Sequence, residues 1–189
     1  MSVPEQRDDA LIERRPIHRG RIVDLSVDTV RYPDGSVGEL ELIRHSGASA
    51  VVPFLDHADA RDPTILLVRQ YRYATSGYLI EVPAGRPAFV GEDWEVCARR
   101  ELEEETGLVA GALSYLTTIY TTPGFTDERI RLYMATDLQP GNRALDKDEF
   151  LETLPISLSA ALEKIREGEI ADAKSICSLL YVAGFRLGL

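Results

Sequence analysis

The stretch GRPAFVGEDWEVCARRELEEETGL runs from Gly85 to Leu108 and carries the densest run of acidic residues in the chain. Within it, Glu101, Glu104 and Glu105 are spaced three or four residues apart, which places their carboxylates on one face of a helix. Like charges at this spacing weaken an isolated helix by roughly a few tenths of a kcal/mol. A solvated acidic face is the simpler interpretation, but oxygen-rich clusters of this kind also suit hard divalent cations.

The residues around the acidic cluster favour a metal site. The pattern predicts a helix over residues 92–106, with Leu102 on its apolar side and Gly107 as its C-terminal stop. Arg100 adjoins the carboxylates and can hold one of them through a bidentate pair. Upstream, residues 81–85 (EVPAG) are typical of a strand that runs into a tight loop. A strand, a glycine loop and a carboxylate-bearing helix are sufficient to form a metal site.

This stretch resembles the Nudix box, written G-x5-E-x7-R-E-U-x-E-E-x-G-U, where U is a bulky aliphatic residue. The matching residues are Glu92, Arg100, Glu101, Leu102, Glu104, Glu105, Gly107 and Leu108. Six residues rather than five separate Gly85 from Glu92, which we interpret as a one-residue loop insertion because the spacing within the helix is intact. The resemblance implies an α/β/α sandwich with a mixed β-sheet, and hydrolysis of a nucleoside diphosphate linked to another group.

The order of predicted elements agrees with that fold class. Several apolar strands precede and follow the box helix, and two amphipathic helices close the chain, which predicts an α/β domain with a mixed sheet. We expect residues 1–46 to form a small N-terminal β-meander and residues 47–189 to form the Nudix hydrolase domain. Residues 1–16 are polar and are expected to be loosely ordered. The meander has too few residues to bury its own core, which favours dimerisation. The Nudix resemblance also implies dimerisation and a role for the meander in covering the substrate.

Composition excludes several classes of function. The net charge of −10 argues against a nucleic-acid-binding surface, and no apolar run approaches the roughly 20 residues needed to span a bilayer. The N-terminus lacks the apolar region of a secretory signal, and Cys97 and Cys177 show no disulfide or metal-ligand spacing. The default expectation is a cytoplasmic protein with a small-molecule substrate. A phosphate-bearing substrate would need bound cations and a few arginines beside so many carboxylates.

The Nudix resemblance implies a set of metal-binding residues. It assigns one or more Mg²⁺ or Mn²⁺ ions to Glu101 and Glu105, then to Glu104, and to the backbone carbonyl of Ala84. Glu104 and Arg100 are also assigned to the catalytic machinery, and Arg100 is expected to orient the carboxylates together with Glu92. A glutamate on a loop after the last large strand is expected to activate water. Glu149 is favoured for that role, with Asp146, Asp148 and an uninvolved acidic loop as the alternatives.

Other segments resemble the ADP-ribose pyrophosphatase subgroup. Pro123 follows Gly107 by sixteen residues, as the subgroup's marker proline does, although a simple turn proline is the alternative. The segments at residues 68–72, 81–85 and 168–175 are also similar. By this resemblance the substrate-binding residues are Arg72, Arg44, Glu81, Arg86, Pro123 and Glu128. His45 replaces Arg44 if the alignment shifts by one residue, and the adenine-stacking group stays open between Ile22, Leu25 and a residue of a partner chain.

Three functional hypotheses follow. The leading one is divalent-metal-dependent hydrolysis of ADP-ribose to AMP and ribose 5-phosphate by a homodimer. The second is hydrolysis of another nucleoside diphosphate sugar, such as GDP-mannose, at the same site. The third is a non-catalytic nucleotide sensor, which the sequence disfavours because every carboxylate of the box is present.

Overall fold

The structure is a computed structural model that describes residues 10–145, 147 and 149–188. Its strands are β1 (Leu11–Arg19), β2 (Asp24–Arg31), β3 (Val37–Arg44), β4 (Ala48–Pro53), β5 (Thr64–Arg72), β6 (Gly77–Glu81), β7 (Ala84–Gly85), β8 (Leu108–Val109), β9 (Ala112–Tyr120), β10 (Arg129–Thr136), β11 (Gln139–Pro140) and β12 (Leu151–Ser157). Its helices are α1 (Trp94–Thr106), α2 (Leu158–Arg166) and α3 (Ala173–Tyr181), with a 3₁₀ turn at Tyr73–Thr75 and a π-helical turn at Val182–Leu187. In the part of the chain described, no helix has the length and apolar character needed to cross a membrane.

The chain divides into two compact units. One contains the described residues up to Gly47 together with Tyr120–Arg129, and the other contains Ala48–Ile119 and the described residues from Ile130 onward. The roles predicted for residues 1–46 and 47–189 stay predictions.

The first unit contains an antiparallel sheet of three strands in the order β1-β2-β3. The turn between β2 and β3 needs Gly35 at a φ of 86°, and the Asp34 carboxylate accepts the Ser36 N–H at 2.9 Å. The expectation of loose order across residues 1–16 is wrong for the part that lies in β1. That strand is almost entirely exposed, so its side chains carry no strand pattern, and its backbone bonds with β2 define it.

The second unit is built on a mixed sheet in the order β7-β4-β10-β9. Strand β4 runs parallel to β10 and antiparallel to β7. A second sheet, β12-β5-β6, is antiparallel, and β8 pairs with β11.

Both faces of the mixed sheet are covered. Ala50 and Val52 of β4 belong to a core that also contains residues of α2 and α3, whereas Val51 belongs to a core with Ala98 and Leu102 of α1. The alternation follows from the two-residue period of a strand. The predicted α/β/α sandwich with a mixed sheet is therefore confirmed.

Helix α1 begins two residues later than predicted. The Asp93 side chain accepts the N–H groups of Glu95 and Val96, so Asp93 is the N-cap and Glu92 precedes the helix. At the other end, Gly107 has a φ of 74° and its N–H donates to the Glu103 carbonyl, as the sequence predicted for a glycine stop.

Candidate active site

Gly85 and Glu101 meet at the centre of the candidate site. A Cβ atom added at Gly85 would lie 2.1 Å from Cδ of Glu101, far inside any van der Waals contact. The Glu101 side chain therefore occupies the space that any other residue at position 85 would fill. This close approach explains why a glycine loop faces the acidic helix.

Glu105 is the most deeply buried carboxylate of α1, with only 2% of its surface exposed. Its Oε2 accepts the Ala84 N–H at 3.1 Å. Burial raises the pKa of Glu105 to about 8, and the negative charges of Glu101 and Glu149 act in the same direction.

Arg100 ties the other carboxylates of the box together. Its Nε and Nη2 donate to Glu92 at 3.1 and 3.0 Å, and its Nη1 donates to Glu101 at 2.7 Å and to Glu104 at 2.8 Å. Nη2 also donates to the backbone carbonyl of Arg86 at 2.9 Å. Hydrogen bonds with Glu92 are the main cause of a raised pKa for Arg100, which keeps it charged. One guanidinium thus fixes the loop at residue 86 and two carboxylates of the helix.

The chemistry of these donors fits a divalent cation. Burial raises the pKa of Glu101, and the charges of Glu104 and Glu149 raise it further, although Arg100 opposes them. Hard oxygen donors with excess negative charge are what Mg²⁺ or Mn²⁺ require. Among the described residues, no three acidic, histidine or cysteine side chains are already arranged around a common metal position. Glu101 and Glu104 instead form ion pairs with Arg100.

The structure also brings Glu149 into the electrostatic neighbourhood of the box. Its charge contributes to the raised pKa values of Glu101 and Glu105. This proximity agrees with the predicted catalytic role of Glu149, which stays a prediction. The two alternatives, Asp146 and Asp148, lie outside the described residues.

Arg72, which is partly exposed, forms an ion pair with the buried Glu81 beside the box. Arg72 donates from Nε and Nη2 to the two oxygens of Glu81, both at 2.8 Å, and Glu81 is 1% exposed. Burial acts to raise the pKa of Glu81, but hydrogen bonds from Arg72 and the charge of Lys174 outweigh it and lower the pKa. Glu81 therefore holds the Arg72 side chain in place. The predicted direct contact of Glu81 with substrate stays a prediction.

Of the remaining predicted substrate-binding residues, Arg86 lies in the second unit, where its backbone carbonyl accepts a bond from Arg100, and its contact with substrate stays a prediction. The others lie in the first unit. Arg44 donates to Ser26 Oγ at 2.7 Å and to Asp28 at 2.5 Å, within the meander. Pro123 is exposed in a turn, where the Phe125 N–H donates to the Thr122 carbonyl.

The neighbouring acidic residue of that unit is also held in place. Glu128 accepts a bond from Thr121 Oγ1 at 2.8 Å and pairs with His45 Nδ1 at 3.1 Å. The predicted roles of Arg44, Pro123 and Glu128 stay predictions.

The extra residue before Glu92 is accommodated in an exposed turn. Phe89 and Val90 are exposed, and Gly91 has a φ of 93°. The Glu92 N–H donates to the Phe89 carbonyl at 3.2 Å, and the Glu92 side chain accepts the Ala88 N–H at 2.7 Å. The insertion therefore extends outward, while Gly85 keeps its contact with the helix.

Sequence reasoning did not identify Lys174. This lysine lies in the first turn of α3 with 8% of its surface exposed, and it contacts both Glu81 and Asp172. The resemblance at residues 168–175 was the available signal, but nothing in that segment indicates contact with a carboxylate 93 residues away.

Comparison with known proteins identifies the family. The family model of the NUDIX domain matches residues 44–178. The chain belongs to the Nudix family. Three curated relatives are similar to this chain. An ADP-ribose pyrophosphatase of Bacillus subtilis (strain 168) is 36% identical over 93% of this chain and 92% of its own length, and a methanol dehydrogenase activator of Bacillus methanolicus is 38% identical over 93% of this chain and 92% of its own length. A GDP-mannose pyrophosphatase of Escherichia coli O1:K1 / APEC is 38% identical over 66% of this chain and 69% of its own length.

A solved structure confirms the fold. The crystal structure of an ADP compounds hydrolase superposes with a TM-score of 0.77 over 95% of both chains, at 21% identity. The predicted Nudix fold and the predicted resemblance to ADP-ribose pyrophosphatases are thus confirmed.

Proposed function

We propose that this protein hydrolyses the diphosphate of ADP-ribose to AMP and ribose 5-phosphate, with Mg²⁺ or Mn²⁺ as cofactor. The observation that carries the proposal is the pair of buried carboxylates, Glu101 and Glu105, that face the loop at Ala84 and Gly85. The ADP-ribose pyrophosphatase of Bacillus subtilis, similar over nearly its whole length, supports the choice of substrate.

The residues of the second unit suit this chemistry. Glu101, Glu105 and the Ala84 carbonyl would hold the cation, and Arg100 would keep Glu101 and Glu104 oriented. When bound, the cation neutralises charge on the diphosphate and acidifies a water molecule. Glu149 would accept the proton of the attacking water.

Arg72 provides the positive charge for the substrate phosphates. Its side chain is 40% exposed, and Glu81 uses only Nε and Nη2. The third nitrogen, Nη1, makes no bond to Glu81, so its N–H groups are directed away from this pair and can donate to a phosphate oxygen.

The direct test incubates the purified protein with ADP-ribose and Mg²⁺ and identifies the products by mass spectrometry. AMP and ribose 5-phosphate are expected, and EDTA should abolish their formation. Glu152→Gln, a change at an exposed carboxylate, is the control and should keep wild-type turnover. Absence of AMP with wild-type protein would reject the proposal.

A second candidate substrate is another nucleoside diphosphate sugar, favoured by the similarity to a GDP-mannose pyrophosphatase. Values of kcat/KM for ADP-ribose and GDP-mannose under identical conditions decide between them. Tight nucleotide binding without turnover at saturating Mg²⁺ would instead support the non-catalytic sensor. The homodimer and the cytoplasmic location stay predictions, and the mass of the protein in solution tests the first of them.

A further inference from the structure

Lys174 connects the C-terminal helix to the strand that carries Glu81. Its Nζ donates to Glu81 Oε2 and, at 3.0 Å, to Asp172 Oδ2. Only 9% of the Lys174 side chain is exposed, and Glu81 is almost fully buried. A buried lysine is retained in the charged form only when carboxylates of this kind surround it.

The same helix end also holds the backbone that precedes the glycine loop. Asp172, the N-cap of α3, accepts from the N–H and the hydroxyl of Ser175. The Ser175 hydroxyl oxygen in turn accepts the Val82 N–H at 2.8 Å. The Glu81 side chain and the Val82 N–H are thereby both fixed, two residues before Ala84.

The charges of this group balance. Arg72 and Lys174 contribute two positive charges, and Glu81 and Asp172 contribute two negative charges. Without the ammonium group of Lys174, the network carries one uncompensated negative charge close to Arg72, the residue assigned to the substrate phosphates. Glu81 would then also lose one of the donors that fix its two oxygens toward Arg72.

We infer that Lys174 is a positioning residue for substrate binding. It holds Glu81 in the orientation that presents Arg72 to the diphosphate, and it cancels the charge that would repel this anion. The inference rests on the proposed function, because it requires a diphosphate-bearing substrate. It gives helix α3 a role in the affinity for substrate.

The first experiment measures KM and kcat for Lys174→Met. An uncompensated negative charge about 10 Å from an anion, at an effective dielectric constant of about 20, weakens binding of that anion roughly tenfold. We therefore expect KM for ADP-ribose to rise about tenfold. The value of kcat should fall less than about threefold, because the Arg72 contact is made in both the ground and transition states. Lys164→Met is the matched control, since Lys164 pairs with Glu169 at the surface, and should leave both constants unchanged.

Two further variants separate positioning from mere structural support. Lys174→Arg keeps the charge, and its KM should return to within about threefold of wild type. Glu81→Gln combined with Lys174→Met removes both charges and should recover the urea midpoint lost in Lys174→Met. Its KM should fall below that of Lys174→Met, because no uncompensated charge remains. It should stay above that of the wild type, because an amide cannot accept two bonds from Arg72 on two oxygens. A double-variant KM equal to that of the wild type or no lower than that of Lys174→Met, or a Lys174→Met KM within twofold of wild type, would overturn the inference.

Binding without turnover keeps the inference separate from the proposed function. Titration calorimetry in EDTA measures the Kd of ADP-ribose and of inorganic pyrophosphate for the wild type and Lys174→Met. An approximately tenfold weaker Kd for the variant supports the inference even if wild-type protein fails to cleave ADP-ribose. Equal Kd values reject it even if wild-type protein is active.

Discussion

Replacing Glu105 with glutamine is expected to stabilise the metal-free protein at alkaline pH, the reverse of what most substitutions at buried polar groups do. Glu105 is 2% exposed, and its Oε2 accepts the Ala84 N–H, a bond that a glutamine oxygen can still accept. Burial and the nearby charge of Glu101 raise its pKa from 4.5 to about 8. The wild-type protein therefore has to ionise a carboxyl group in an unfavourable position as the pH rises, and the variant does not.

The magnitude follows from this pKa difference. Between pH 4.5 and about 8 the folded protein holds a proton at Glu105 that the unfolded chain has released, so its stability falls as the pH rises. The contribution is fully present below pH 4.5 and is lost as the pH passes about 8. At about 1.4 kcal/mol per pKa unit the loss amounts to roughly 5 kcal/mol at most. We expect Glu105→Gln to exceed wild-type stability by about 2 to 5 kcal/mol at high pH.

Urea unfolding in EDTA from pH 5 to 9 provides the assay. The free energies of unfolding of the two proteins should agree within about 1 kcal/mol at the acid end and diverge toward the alkaline end. Glu152→Gln, at a largely exposed carboxylate, should follow the wild-type curve throughout. Parallel curves for wild type and Glu105→Gln would refute the reasoning, since they would show that ionisation of Glu105 costs nothing in the fold.

Three other predictions concern the geometry of the box. Arg100→Lys replaces a guanidinium that binds three carboxylates with an ammonium group and should lower kcat about 100-fold. The control, Arg99→Lys, changes an exposed ion pair and should change kcat less than about threefold. Equal losses of kcat in the two variants, measured by steady-state kinetics, would contradict this prediction. Gly85→Ala forces a Cβ to 2.1 Å from Glu101 and should lower kcat by a similar factor, while Gly184→Ala meets nothing within 4 Å and should retain wild-type kcat. Mg²⁺ at a hundred times its Kd should raise the free energy of unfolding of the wild type by about 2.7 kcal/mol, measured by urea unfolding. Loss of this increase in Glu101→Gln would confirm Glu101 as a ligand of Mg²⁺.

The acidic helix was predictable from sequence because its determinants are local. The spacing of Glu101, Glu104 and Glu105 fixes their common face once the segment is helical, and Gly107 ends the helix through its own backbone conformation. The helix was predicted to begin at Glu92, two residues too early, because the box pattern includes that residue; Asp93, a residue type preferred at the N-cap, sets the actual start. Strand β1 was missed for a related reason: its exposed side chains carry no period.

The sequence by itself determined the box, its carboxylates and an α/β domain with a mixed sheet, since helix periodicity and apolar strands are encoded in neighbouring residues. The α/β/α layers followed from the resemblance to the Nudix family. The tertiary structure alone decided how those carboxylates are charged. The burial that raises the pKa of Glu105 depends on packing between α1 and a distant loop. The pairing of Glu81 with Lys174 joins residues 93 positions apart, and no local pattern specifies such a contact. Desolvation and long-range ion pairs arise only when distant segments meet. They decide which carboxylates of this site can bind a cation and which guanidinium groups can bind a phosphate.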